Sequence, residues 1–297
     1  MRAVLGAALL CAAGCKNDQG FVELRLENIA VSMGDFDATE DVLTRLDVAH
    51  TPYEGFISQA VYDPEIDPDL VSLKVEDLLS RVTDNTPELE LYDALFVNSG
   101  TRGLGAYVYN GVDPDDEIVT DADMLARVQT FVEDGGALIV SDWAYDLVEA
   151  IWPDAIDFAH DDTVYDDAQT GTSRTVVADI TDDTLSLDLD DATGLELQFD
   201  YSYWTVIEDV GPDTKVYLTG DVEYRVSDAE GYGTLEGVPL LVSFEAGRGE
   251  VVFSSFHWRA QRDEVAETML QSLLPGMRLG TASDGPPDLG DLEGASR

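Results

Sequence analysis

Cysteine is nearly absent from this sequence: the 297 residues include two, Cys11 and Cys15. The chain beyond residue 15 therefore cannot form an internal disulfide and offers no thiol nucleophile, so its stability must come from packing. Histidine is almost as scarce, with three residues at His50, His160 and His257. Because these histidines have no paired spacing, the sequence predicts no zinc site.

Positive charge is the second shortage, since 16 lysines and arginines stand against 61 acidic residues, a formal net charge of −45. A field of this sign repels polyanions, so we expect no nucleic-acid partner. Three explanations of the acidity stay open: adaptation to high salt, a surface that binds Ca²⁺ weakly, or a docking face for a cationic partner. Disorder does not explain it, because 44% of the residues are hydrophobic and can form a core.

Long apolar runs are also missing, and no segment approaches the roughly 18 residues that cross a bilayer. At the start, Arg2 precedes a short apolar run over residues 4–13, and small residues lead into Cys15. This order predicts a secretory signal peptide over residues 1–14. The stretch resembles a bacterial lipoprotein signal, which is cleaved before a cysteine that receives fatty acyl chains such as palmitate. Cys15 is the predicted lipidation site, Cys11 fits the pattern less well, and an ordinary signal peptide with an incidental cysteine is the alternative.

The lipoprotein resemblance implies a protein held at the cell envelope by an N-terminal lipid. Lys16 after the cysteine fits lipoproteins that are forwarded to the outer membrane of Gram-negative bacteria. We expect a short tether over residues 15–20 and a single α/β domain over residues 21–275. Residues 276–297 are rich in proline and glycine and predict a disordered acidic tail.

Strand and helix patterns alternate through the first half of the chain. The patterns predict strands at 28–33, 48–56, 92–97 and 137–140, and helices at 38–46, 75–82 and 122–133. Nearly continuous apolar strands indicate a parallel sheet with helices on both faces. The second half is rich in short β-type runs, at 174–180, 185–189, 195–199, 203–208 and 215–218, followed by a hairpin over 238–257 and a helix at 262–274.

Three segments carry a family resemblance: YDALFVNSG at 92–100, FVEDGGALIVSD at 131–142 and PLLVSFEAGRGEVVFSSFH at 239–257. In this order they resemble the class I glutamine amidotransferase-like superfamily, in the branch with trehalose-utilisation-protein-like domains. The resemblance implies a flavodoxin-like, mainly parallel sheet with helices on both faces and a β-rich C-terminal half. Amidotransferases of this family use a cysteine on a strand-to-helix turn, but here the corresponding strand leads into Ser141 and Asp142. A thioester mechanism is therefore excluded.

The carboxyl ends of parallel strands meet at one edge of a sheet, which should bring together Asp35, Ser99, Ser141, Asp142 and His257. An activated serine needs a base within hydrogen-bond reach, so Ser99 or Ser141 with Asp142 and His257 is the candidate catalytic set. Alternatively, the two serines and Asp142 cap the following helices, and His257 bonds locally. Convergence in a concave pocket would favour an enzyme, and separation into caps would favour a binding protein.

A second motif is Asp35-Phe36-Asp37-Ala38-Thr39, which resembles the D-x-D-x-T signature of haloacid-dehalogenase-type phosphatases. In that family the first aspartate attacks phosphorus and carboxylates hold Mg²⁺. Ser99 and the pair Asp142 and Asp146 would fill the later roles. Gly34 interrupts the run before the motif, and no lysine lies between Ser99 and Asp142, so the match is incomplete.

Aspartate clusters at 113–116, 161–167 and 182–191 could bind Ca²⁺ weakly, but none fits the EF-hand loop pattern. We therefore expect solvated acidic loops and no cofactor. The aromatic residues Tyr201, Tyr203 and Trp204, next to Asp200, could line a sugar-binding face. Because they alternate at strand spacing, about half of them should lie in the core.

Together these observations predict a lipid-anchored cell-envelope protein with a non-catalytic binding or scaffold role. Its partners would be the membrane, through the lipid, and a protein or carbohydrate ligand. The alternative is a hydrolase acting on carbohydrate or a related envelope substrate, and a further alternative is the phosphatase.

Overall fold

The computed structural model describes residues 28–55, 73–83, 86–101, 122–160, 168–227 and 229–274. The predicted signal peptide with Cys11, the lipidation site Cys15, the tether and the tail over 276–297 lie outside these ranges. The acidic clusters at 113–116 and 161–167 lie outside them as well.

The strands of the described ranges, numbered in chain order, are β1 (Ile29–Met33), β2 (Thr51–Glu54), β3 (Val82–Thr83), β4 (Thr86–Pro87), β5 (Ala94–Val97), β6 (Ala137–Ser141), β7 (Ile156–Phe158), β8 (Thr170–Gly171), β9 (Arg174–Ile180), β10 (Gly194–Phe199), β11 (Trp204–Thr205), β12 (Ile207–Val210), β13 (Lys215–Ser227), β14 (Gly231–Ala246) and β15 (Gly249–Ser254). The helices are α1 (Thr39–Arg45), α2 (Val75–Ser80), α3 (Ala122–Glu133), α4 (Tyr145–Ile151), α5 (Asp183–Asp188) and α6 (Asp263–Leu273). Short 3₁₀ turns occupy Glu88–Leu91, Asp142–Ala144 and Trp258–Ala260.

One large sheet organises these elements, in the order β10-β9-β13-β14-β15-β6-β5-β1-β2. Strands β2, β1, β5, β6 and β15 are parallel to one another. From β15 to β10 every pairing is antiparallel. The prediction of a mainly parallel sheet thus holds for one half, and the sheet as a whole is mixed. The reason is the chain inserted between β6 and β15, which returns as hairpin-linked strands, and these must pair antiparallel.

The parallel half has a switch in strand order that locates the site. Counted along the chain, its strands lie in the order 2-1-3-4-5, one of the two common doubly wound arrangements. The direction of winding reverses between β1 and β5, where the carboxyl ends of the strands leave a crevice. There the backbone N–H of Phe36 donates to the Ser99 carbonyl at 3.1 Å. The loops after β1 and β5 are thereby joined at the switch point.

Hydrophobic residues cover both faces of the sheet, as the alternation along its strands requires. On β1, Ile29 and Val31 belong to one core layer and Ala30 to the other. Helices α1, α5 and α6 contribute buried residues to the first layer. Helices α2, α3 and α4 contribute to the second. The prediction of helices on both faces is confirmed.

One predicted strand is wrong. Residues 185–189, predicted as β-type, form most of α5 instead. The helix is favoured because the Asp182 carboxylate accepts the backbone N–H of Leu185 at 2.8 Å, which is an N-cap bond. Among the helices that the structure describes, none is long and apolar enough to cross a membrane.

Candidate functional site

The candidate residues lie at the carboxyl edge of the parallel strands. Ser99 follows β5, Ser141 ends β6, Asp142 opens the next 3₁₀ turn, and His257 follows β15. The structure brings all four side chains into one hydrogen-bonded network. The four residues therefore converge, as the hydrolase alternative requires, but each of them is at least 97% buried, so they lie beneath the surface of this edge and not in an open pocket.

Asp142 is the centre of this network. Its Oδ2 accepts a hydrogen bond from Ser99 Oγ at 3.2 Å and lies 2.9 Å from His257 Nε2. Its Oδ1 accepts the backbone N–H of Thr205 at 2.6 Å. The backbone of Asp142 has φ +46°, a left-handed conformation that aspartate adopts more readily than most residues. This turn directs the carboxylate inward from the end of β6.

His257 lies between two carboxylates, because its Nδ1 is 2.8 Å from Asp200 Oδ1. Burial alone would lower the pKa of His257, but the hydrogen bonds that its ring donates to Asp142 and Asp200 outweigh this effect and raise the pKa to about 10. The ring is therefore an imidazolium at neutral pH and donates from both nitrogens. Burial opposes the charge of Asp200, yet its bond to His257 lowers the pKa of that carboxyl.

The two serines bond to each other's loops. Ser99 N donates to Ser141 Oγ at 3.1 Å, and Ser99 Oγ accepts the backbone N–H of Trp143 at 3.3 Å. The expectation that Ser141 and Asp142 cap the helix after β6 is wrong, because these side chains bond across to other segments. The His257 carbonyl accepts local bonds from Ala260 N and Gln261 Nε2, but the partners of its side chain are 57 and 115 residues away in sequence.

The D-x-D-x-T motif has a structural role at its second aspartate. Asp37 Oδ2 accepts the backbone N–H of Trp258 at 3.0 Å, and Oδ1 accepts that of Arg259 at 3.1 Å. These bonds fasten the 3₁₀ turn after β15 to the loop before α1. Within the described ranges, no group of three or more His, Cys, Asp or Glu side chains could hold a metal ion.

Sequence reasoning missed Asn98 and Glu40, which lie beside the network. Asn98 Oδ1 accepts from both the backbone and the hydroxyl of Thr39, and its amide donates to Glu40 Oε2 at 2.7 Å. Burial, with a smaller contribution from the charges of Asp41 and Asp37, raises the pKa of Glu40 to about 7. A polar pair directly after a buried strand, Asn98-Ser99, was the available signal for Asn98.

The aromatic cluster divides as expected. Trp204 is buried, and its indole N–H donates to the Thr172 carbonyl at 3.0 Å. Tyr201 and Tyr203 are exposed, at 44% and 56%. The Tyr201 ring contacts the His257 ring edge to face, with centroids 5.4 Å apart, so this exposed tyrosine lies directly above the buried network.

The candidate calcium loop over 182–191 has bonds of its own. Asp182 caps α5 and its carboxylate pairs with Lys215 Nζ at 2.8 Å. Asp190 and Asp191 adopt left-handed backbone conformations at the end of the helix. These aspartates therefore have structural roles: Asp182 caps the N-terminus of α5, and Asp190 and Asp191 form the turn that follows its C-terminus.

A separate cavity of about 460 Å³ lies at the opposite edge, before the amino ends of β5 and β6. Its lining includes Leu79, Phe131 and the arginines Arg127 and Arg248. The candidate residues predicted from the sequence do not line it.

No protein-family model matches the sequence, and no curated protein matches it either. Among solved structures, the chain is similar to a protein described as ThuA-like from Parabacteroides merdae, at 11% identity and a TM-score of 0.45 over 89% of this chain and 96% of that chain. It is similar to a protein from Thermoplasma acidophilum that is described as one component of a GMP synthase, at 10% identity and a TM-score of 0.47 over 85% and 94% of the two chains. It is also similar to a β-galactosidase from Bacillus circulans, at 11% identity and a TM-score of 0.41 over 85% of this chain and 31% of that chain. The fold class follows from the strand order and the two helix-covered faces: the chain is an α/β protein with a mixed sheet.

Proposed function

We propose that this chain is a lipid-anchored cell-envelope protein whose α/β domain, over residues 21–275, binds a protein or carbohydrate partner without catalysing a reaction on it. The observation that carries the proposal is the position of Asp142 between Ser99 and His257. In a serine hydrolase the histidine contacts the serine and removes its proton. Here the Ser99 hydroxyl donates to the Asp142 carboxylate, and His257 contacts Asp142 and not Ser99.

The protonation of His257 supports the same proposal. A general base must have a free lone pair at the working pH. His257 donates to carboxylates from both ring nitrogens and holds its proton up to about pH 10. Ser99 is fully buried, so a substrate carbonyl or sugar carbon has no approach to its hydroxyl.

We propose that the parallel half of the sheet forms a domain of a more specific type. The 2-1-3-4-5 order of the parallel strands supports a flavodoxin-like domain of the class I glutamine amidotransferase-like type. The family's cysteine position is taken by Ser141 at the end of β6 and Asp142 directly after it, and a buried polar network takes the place of the nucleophile. In this domain the carboxyl edge of the sheet would still serve as a binding surface, without the thioester chemistry of the amidotransferases.

The catalytic question has a direct test. A fluorophosphonate reagent, which reacts with activated serines, should leave the purified protein unlabelled. Hydrolysis of aryl glycosides and aryl esters should be the same for the wild type, Ser99→Ala and Ser141→Ala, at the level of the uncatalysed reaction. Labelling or turnover that one of these substitutions abolishes would overturn the proposal in favour of a hydrolase.

Lipid attachment is tested separately, on the native membrane fraction. Mass spectrometry should find a mature N-terminus at Cys15 carrying acyl chains, because several chains together are needed for stable anchoring. Cys15→Ser should release the protein from the membrane, and the matched Cys11→Ser control should not. An unmodified chain that begins elsewhere would remove the lipoprotein assignment, and fractionation of inner and outer membranes would test the predicted outer-membrane location.

A further inference from the structure

At the carboxyl edge of the parallel strands, the exposed Phe36 and Tyr201 rings are in contact, and a third exposed aromatic residue, Tyr203, follows two positions after Tyr201; we call these three residues the aromatic patch. Phe36 follows β1 at the switch point, and its ring lies 6.1 Å from that of Tyr201 in an edge-to-face contact. All three side chains are at least 39% exposed. Large aromatic side chains grouped on a surface are a usual mark of an interaction site.

The loop that carries the two tyrosines is fastened on several sides. Asp200 is bonded to His257, and Ser173 Oγ donates to the Phe199 carbonyl at 3.0 Å. Tyr203 N donates to the Gly171 carbonyl at 2.8 Å, and the Trp143 indole N–H donates to the Tyr203 carbonyl. The rings are therefore presented on a backbone that is already ordered, which lowers the entropic cost of binding.

Tyr203 has an unfavourable backbone conformation, with φ +75°. A bulky residue rarely adopts a positive φ, and such strain is retained where the surrounding structure enforces it, most often at functional sites. Glycine would adopt this conformation without strain. Tyr203 is more than half exposed, so burial in the core does not explain why a tyrosine occupies this strained position, and its ring is available to a partner.

Electrostatics select the kind of partner. The chain carries a formal net charge of −45, which disfavours a second copy of itself and any anionic partner. At the patch, Asp200 is paired with the His257 imidazolium and lies near the exposed Arg259, and Asp35 precedes Phe36 in the sequence, so the attraction of a cation comes from the net charge of the whole chain. Guanidinium and ammonium groups bind aromatic faces, and a negative field steers them to the surface.

We propose that the aromatic patch binds a basic segment of a partner protein, with an arginine or lysine side chain against Tyr201 and Tyr203. This inference rests on the proposed binding function and names its ligand class. Long-range charge brings the segment to the protein, and the rings on the ordered loop hold it at one place.

The test measures binding of a fluorescent Gly-Arg repeat peptide to the full-length protein by anisotropy, at low and moderate salt. Tyr203→Gly should weaken binding about tenfold without lowering the melting temperature, because it removes a ring and relieves strain. Tyr201→Ala should weaken binding similarly, and Tyr201→Phe should restore it. Tyr232→Ala is the matched control, since Tyr232 is 65% exposed on the hairpin of β13 and β14, and it should bind as the wild type does.

Equal binding by every variant would show attraction by diffuse charge alone and would overturn the inference. A neutral oligosaccharide that binds in a Tyr203-dependent manner, while the peptide does not bind, would also overturn it but would leave the proposed binding function standing. Turnover that depends on Ser99 would remove the proposed function itself, whatever the peptide does.

Discussion

Replacing His257 with leucine should lower the free energy of unfolding by about 3–5 kcal/mol, the cost of leaving a buried charge without its partner. The leucine removes a cation that is 97% buried and leaves Asp142, 99% buried, with only neutral donors. It also frees Asp200 and loosens the loop that carries Tyr201. Chemical denaturation at pH 7 measures the effect directly.

The matched control is His50→Leu, because His50 is half-buried and its Nδ1 lies 2.9 Å from the carbonyl oxygen of the nearby Val48, with no carboxylate partner among the residues that the structure describes. It should change stability by less than about 0.5 kcal/mol. Adding Asp142→Asn to His257→Leu should recover part of the loss, since the unpaired charge is gone. Equal denaturation midpoints for His257→Leu and His50→Leu would contradict the buried ion network.

The same network makes stability depend on pH. The pKa of His257 is raised in the folded state, from an ordinary value of 6.5 to about 10. The folded protein therefore binds the His257 proton more tightly than the unfolded chain does. The resulting contribution to the free energy of unfolding is fully present below pH 6.5 and is lost as the pH rises toward 10. Chemical denaturation at a series of pH values should show that the free energy of unfolding falls less steeply between pH 6.5 and pH 10 in His257→Leu than in the wild type.

The element order could be predicted from the sequence because hydrophobic periodicity reports burial. The helix expected at 122–133 has those same bounds in the structure, and the runs before Gly34 and Asn98 are buried strands. Residues 185–189 were mispredicted because their alternating leucines fit a strand as well as a short helix. The N-cap bond from Leu185 N to Asp182 favours the helix. Asp182 lies before residues 185–189, so the hydrophobic pattern of that segment alone does not reveal it.

The site could be predicted as a location but not as a network. Strand ends identify the carboxyl edge, so Ser99, Asp142 and His257 were expected to be neighbours. Their order was not predictable, because the partner of His257, Asp200, comes from the inserted antiparallel segment 57 residues earlier. The bond between Asp37 and Trp258 joins residues 221 positions apart. Side-chain direction over such separations depends on packing that no local pattern records.

Gly34→Ala should destabilise the protein by about 3 kcal/mol, the upper part of the range for overpacking a rigid site. A Cβ at Gly34 would lie 2.2 Å from the Ser99 carbonyl oxygen and 2.9 Å from that of Asn98. Both obstacles are backbone atoms, so a side-chain rotation cannot relieve the contact. The ends of β1 and β5 would have to separate, which would also strain the bond from Phe36 N to the Ser99 carbonyl.

The matched control is Gly194→Ala in β10, where the added Cβ would lie 3.3 Å from the Ala178 carbonyl oxygen at the edge of the sheet. It should be close to neutral, because alanine costs less backbone entropy than glycine on folding and this offsets a mild contact. If Gly34→Ala were as stable as Gly194→Ala, the close approach of β1 and β5 at the switch point would be wrong. Since the loop after Gly34 carries Phe36 and Asp37, the same variant should bind the basic peptide more weakly, which connects the geometry of the strand ends to the surface above them.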